Sequence, residues 1–156
     1  MPDKINSATA TIRGSSRYPD IKGYAYFTLT EDGTAVSIAI RGLPLDPQSC
    51  NSPIFAVHIH EGNSCSGNEQ DPFADTMGHW DIKNCPHPFH SGDMPPLFTS
   101  GRKASFAFLT DRFTPEDVVG KTIVIHKNYD DFHTQPSGAS GEKIACGEIR
   151  PAPSYQ

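Results

Sequence analysis

Apolar and polar residues alternate at period two through the first third of the chain. Ala8, Ala10 and Ile12 fall on one face of a strand, with Thr9, Thr11 and Arg13 on the other. From Gly23 to Thr30, Ala25, Phe27 and Leu29 oppose Tyr24, Tyr26, Thr28 and Thr30, and Val36, Ile38 and Ile40 resume the pattern beyond Glu31-Asp32-Gly33-Thr34. Asp-Gly between two alternating runs predicts a tight hairpin, because glycine accepts the positive φ that such a turn requires. Further strands are expected at Phe55–His60, Lys103–Thr110, Lys121–Lys127 and Lys143–Ile149, with a weaker one at Asp93–Leu97, where Pro95 and Pro96 suit only an edge. Thr114-Pro115-Glu116-Asp117 predicts one helical turn, with Thr as N-cap and Pro at the first helical position.

Two stretches, Glu61–Pro96 and Tyr129–Glu142, show no periodicity. Irregular segments of that length in a compact domain usually carry function. The pattern predicts an all-β barrel or sandwich of about seven or eight antiparallel strands, in a single domain over residues 1–156, with its chemistry on two long loops. A chain of 156 residues with 18 Asp and Glu against 13 Lys and Arg carries a net charge of −5, which disfavours nucleic acid as a partner. No apolar run approaches a membrane span, and no apolar leader follows Met1, which predicts a cytoplasmic location unless a leader has been trimmed. The cysteines Cys50, Cys65, Cys85 and Cys146 are scattered without any CxxC pair, so they do not read as a zinc finger.

The histidines change the picture. His58 and His60 alternate along a predicted strand, so both rings leave one face and can reach one ion. His79, His87 and His90 follow in the first long loop, Asp93 lies three residues beyond His90, and His126 ends the Ile123-Val124-Ile125 run. Imidazoles with one carboxylate suit zinc or copper, whereas calcium and magnesium take mostly oxygen. His133 stands apart and reads as a solvated loop residue.

These residues strongly resemble the copper–zinc superoxide dismutase family. The match runs through His58-Ile59-His60-Glu61-Gly62, Gly78-His79-Trp80, His87 and His90-Ser91-Gly92-Asp93, then Gly120-Lys121-Thr122-Ile123-Val124-Ile125-His126 and Asp130-Asp131. It closes on Thr134-Gln135-Pro136-Ser137-Gly138 and Ile144-Ala145-Cys146-Gly147. Its style is bacterial. The resemblance implies an eight-stranded antiparallel Greek-key β-barrel or sandwich, and dismutation of the superoxide anion by copper cycling between Cu(II) and Cu(I) beside a structural zinc. Carried over residue by residue, the copper ligands fall on His58, His60, His79 and His126, and the zinc ligands on His79, His87, His90 and Asp93. His79 would bridge both metals and carry a proton. Asp130 falls on the carboxylate that accepts hydrogen bonds from one ligand of each metal. A homodimer is compatible with the family.

Two departures accompany the match. The family places an arginine at the copper mouth, where this chain has Lys143, which keeps the charge without the planar fork that grips an oxyanion. For a negatively charged substrate the local field at that mouth matters more than the total charge, superoxide dismutase being a known instance. His87 and His90 are also unusually close, in a stretch stiffened by Pro86, Pro88, Pro95 and Pro96. The resemblance implies a Cys65–Cys146 disulfide; Cys50 and Cys85 have no counterpart and read either as a second bridge or as two buried thiols. Two competing readings are a relative that handles copper or zinc without turnover and a plain β-sandwich interaction domain, which would leave the histidines unexplained.

Overall fold

The computed structural model describes residues 4–153, so the leader reading at the first three residues lies outside it. Strands β1 (Ser7–Gly14), β2 (Lys22–Thr30) and β3 (Gly33–Arg41) form an antiparallel meander. The hairpin is as tight as expected: Thr30 pairs with Gly33, whose φ is +133° and where a Cβ would lie 2.6 Å from the Thr110 carbonyl oxygen. No other residue fits both constraints. Inward positions of these strands, among them Ile12, Phe27 and Ile38, are fully buried while their neighbours face solvent, so the period-two reading holds.

The expected Phe55–His60 strand divides in two. Ile54–Phe55 (β4) pairs with Leu97–Phe98 (β6), and Val57–His60 (β5) pairs with Thr122–His126 (β8). The division falls at Ala56, whose N–H donates to the Asn128 carbonyl while its own carbonyl accepts from His126 N–H. Asp93–Leu97 is likewise not a strand: Asp93 makes one bridge to His58, and pairing begins only at Leu97, past both prolines. With Lys103–Thr110 (β7) and Lys143–Pro151 (β9), the described residues hold nine strands rather than eight. Seven form one curled antiparallel sheet in the order β5-β8-β9-β1-β2-β3-β7, and β4 and β6 form a separate ribbon that leads into its two edges.

Helix α1 (Pro115–Val118) is the expected turn, with a full capping box between Thr114 and Asp117. Among the described residues no helix is long and apolar enough to cross a membrane. The sheet positions the site through β5 and β8, which are buried on both faces. Val57, Ile59, Ile123 and Ile125 fill the core, and the opposite faces, bearing His58, His60 and His126, are covered by the two long loops.

Candidate metal centre

Six histidines and two aspartates meet where the loops cross β5 and β8. One ligand atom each from His58, His60, His79 and His126 lie within 4.8 Å of one another, and the same holds for His58, His79, His87 and Asp93. His90 falls outside that second group, yet its Nδ1 is 3.3 Å from His79 Nδ1 and 3.2 Å from Asp93 Oδ2. All the histidines expected at the site are therefore assembled. His133 is exposed and bonds only within its own turn, as expected.

Hydrogen bonds fix which nitrogen each ring leaves over. His60 Nδ1 donates to the Met77 carbonyl at 2.8 Å and His126 Nδ1 to the Gly141 carbonyl at 3.0 Å. With those protons placed, each ring turns a bare Nε2 lone pair toward the other across 3.1 Å. Asp130 accepts from His58 Nε2 through one oxygen and from His87 Nε2 through the other, both at 2.8 Å, which frees Nδ1 on each ring. His87 Nδ1 then lies 3.0 Å from Asp93 Oδ2, and His79 Nδ1 lies 2.9 Å from Asp93 Oδ1. His58 Nδ1, His79 Nε2 and His87 Nδ1 are buried without a hydrogen-bond partner. Buried polar atoms are rarely left so. Lone pairs aimed at lone pairs, and at a carboxylate, repel unless a cation lies between them. The residues fit bound metal.

Burial favours, in three of the rings, the neutral form that metals require. Burial, with His126 and His79 nearby, pushes His60 well below the ordinary imidazole range. Burial and the His58 ring bring His126 to about 3. Burial also lowers His79, to about 4, against the opposing pull of Asp93. Asp130 moves the other way from what burial alone would do: the bonds from His58 and His87 outweigh it and hold the carboxyl at about 2. Asp93 is similarly kept ionised by His79 despite its burial.

Lys143 pairs in register with His126 across β8 and β9, which places it beside the cluster. It is not a free cation. Its Nζ donates to Asp71 Oδ2 and to the Phe73 carbonyl, each at 3.1 Å, and its side chain is only 16% exposed. The segment providing those partners is tied to β9 by the Cys65–Cys146 disulfide. Cys50 and Cys85 form no second bridge: both are free thiols, and Cys50 is exposed rather than buried. Sequence reasoning missed Asp71, the backbone carbonyls of Met77 and Gly141, and Asp81, whose carboxylate accepts from Ser91 and from Cys85 N–H and so ties the ends of segment 81–91 together. Backbone acceptors leave no mark in residue identity. Asp71 and Asp81 belong to no motif that sets them apart from other loop acids.

The family model for copper/zinc superoxide dismutase (SODC) matches residues 21–149. The Cu-Zn superoxide dismutase of Deinococcus radiodurans is 34% identical over 146 residues, spanning 81% of this chain and 76% of that protein. The Cu-Zn superoxide dismutase of Legionella pneumophila is 29% identical over 150 residues, spanning 91% and 86%. Among solved structures, a double mutant of a SOD-like protein from Bacillus subtilis is similar with a TM-score of 0.71 at 26% identity, covering 89% of this chain and 94% of that one. The Cu/Zn superoxide dismutase of Brucella abortus shares the fold with a TM-score of 0.75 at 22% identity, covering 91% and 98%.

Proposed function

The chain belongs to the copper/zinc superoxide dismutase family, and we propose that its cluster divides the two metals by ring nitrogen. Copper would be held by His58 Nδ1, His60 Nε2, His79 Nε2 and His126 Nε2. Zinc would be held by His79 Nδ1, His87 Nδ1, His90 Nδ1 and an Asp93 oxygen. His58 lies close to both groups but has one nitrogen to give, because Asp130 takes the other. His79 has a nitrogen facing each way, and His90 Nδ1 lies beside the one that faces Asp93. That supports His90, not His58, as the third zinc nitrogen. Three nitrogens and a carboxylate make a closed structural zinc set, and four imidazoles suit copper.

The observation that carries this reading is the approach of His60 Nε2 to His126 Nε2 at 3.1 Å, with both Nδ1 protons committed to carbonyls. Bound copper supplies the one-electron chemistry by which two superoxide anions and two protons become dioxygen and hydrogen peroxide. The protein's part is geometry, protons and field. His79 Nε2 is a buried imidazole nitrogen with no hydrogen-bond partner, and it would carry one of the two protons only while it is not holding copper. Asp130 keeps the His58 and His87 rings in the required tautomer.

Lys143 supplies positive charge next to His126 in a chain of net charge −5, with Asp71 offsetting part of it. Loss of that charge is expected to lower kcat/KM for superoxide in Lys143→Ala by about tenfold at low ionic strength, the gap narrowing as salt screens the field. Lys143→Arg is expected to exceed the wild type, since a guanidinium can grip an oxyanion at two points. Superoxide decay followed by stopped flow at low and high salt measures all three. Equal rates remove Lys143 from the mechanism, and a wild type that does not consume superoxide removes the functional reading.

A further inference from the structure

The second loop grips the zinc-side loop at a point beyond Asp130. Asp131 ties it into a compact turn, its carboxylate accepting from His133 N–H at 3.0 Å, from Thr134 N–H at 2.8 Å and from the Thr134 hydroxyl. Asp131 N–H donates to the Gly138 carbonyl at 3.0 Å, and Gly138 N–H to the Thr134 carbonyl at 2.7 Å. The turn lays Gly138, with φ +71°, directly on the Asp130–His87 pair, where a Cβ would fall 1.9 Å from Asp130 Oδ1 and 2.7 Å from His87 Nε2. From this platform Gln135 reaches across to His87. Its Oε1 accepts from His87 N–H at 3.0 Å, and its Nε2 donates to the His87 carbonyl at 2.7 Å.

One loop therefore holds His87 three ways: Asp130 takes the ring, and Gln135 takes both backbone polar groups. Arg112 braces the same segment, donating to the Pro88 carbonyl at 2.9 Å and the His90 carbonyl at 3.1 Å. A primary amide answers a peptide N–H and C=O at once from one planar group. Glutamate would turn the donor into a second acceptor facing the His87 carbonyl. Alanine would remove both bonds. Gln135 is exposed, so neither change opens a cavity.

We propose that Gln135 is a positioning residue for the zinc ligand His87, and that its two bonds to the His87 backbone join loop 129–142 to the zinc site. This rests on the reading of His87 as a zinc ligand. Coupling of that kind is reciprocal: whatever loosens the clasp weakens zinc, and zinc in turn protects the loop.

The test prepares metal-free wild type, Gln135→Glu and Gln135→Ala, titrates each with zinc against a chelator, and follows amide hydrogen exchange with and without zinc. Both variants are expected to lose about tenfold in zinc affinity, at the lower end for groups that orient a metal ligand. Exchange is expected to rise at residues 131–138 and at His87 while the strands stay protected. Zinc is expected to protect residues 131–138 strongly in the wild type and far less in either variant. Zinc affinities within twofold of the wild type, or zinc protection of the loop undiminished in the variants, overturn the role of Gln135. A rise in exchange spread evenly across the strands overturns it too, since that marks general destabilisation. A wild type that takes up no zinc overturns the zinc assignment itself and the role of Gln135 with it.

Discussion

Asp130→Asn is expected to weaken copper and zinc binding together, each by about 10–100-fold. The carboxylate gives one oxygen to His58 Nε2 and the other to His87 Nε2, each at 2.8 Å. An amide of the same shape keeps one acceptor but turns an NH2 toward the other ring N–H. That ring must swing away or adopt the opposite tautomer, which puts a proton on the Nδ1 that the metal needs. Whichever way the amide faces, one ring is misdirected, and time-averaged over both orientations each site suffers. Competition with chelators for each metal, on protein first stripped of both, reads the two affinities separately. A loss confined to one metal contradicts the shared role of Asp130. The contrast with Gln135, where zinc alone is expected to weaken, separates holding a ring from holding a backbone.

Replacing both Cys65 and Cys146 with serine is expected to cost about 4.5 kcal/mol in the chain-entropy account for their sequence separation of 81 residues. For a domain of this size that corresponds to a fall in Tm of about 10–15 °C, measured calorimetrically on metal-free protein so that bound metal does not mask it. The bridge also packs with Phe73 and Val124 in a small buried cluster. Through the segment that carries Phe73 and Asp71 it also fixes the partners of Lys143. A Tm shift below about 3 °C would mean that the loop is already constrained in the unfolded chain or held by other contacts.

The sheet was legible where one face is wet. In β1, β2 and β3 buried residues alternate with exposed or half-buried ones, so alternation marks the strands. Legibility failed around β5, whose two faces are both buried, and the break at Ala56 is made by backbone bonds to Asn128 and His126 that no side chain announces. The short β4–β6 ribbon escaped for the same reason: two residues on each side are too few to show a period. The expected ligands His58, His60, His79, His87, Asp93 and His126 do come together, and they were legible because an alternating histidine pair on one strand, further histidines and a loop acid leave a chemical pattern in the sequence. Which ring nitrogen each one offers was not readable, because Met77, Gly141 and Asp130 decide it through distances set by the fold. Lys143 was singled out through the family resemblance, but its partner Asp71 came from a loop whose path no periodicity describes.

Two nitrogens aimed at each other without a proton between them make a strong demand for a cation, which the copper proposed for His60 and His126 would meet. The most direct test measures superoxide turnover by protein loaded with copper and zinc, beside the same protein from which copper alone has been removed. Rapid catalysed decay that vanishes with copper and returns on reloading is the predicted result. Turnover indifferent to copper, or absent from fully loaded protein, would contradict it.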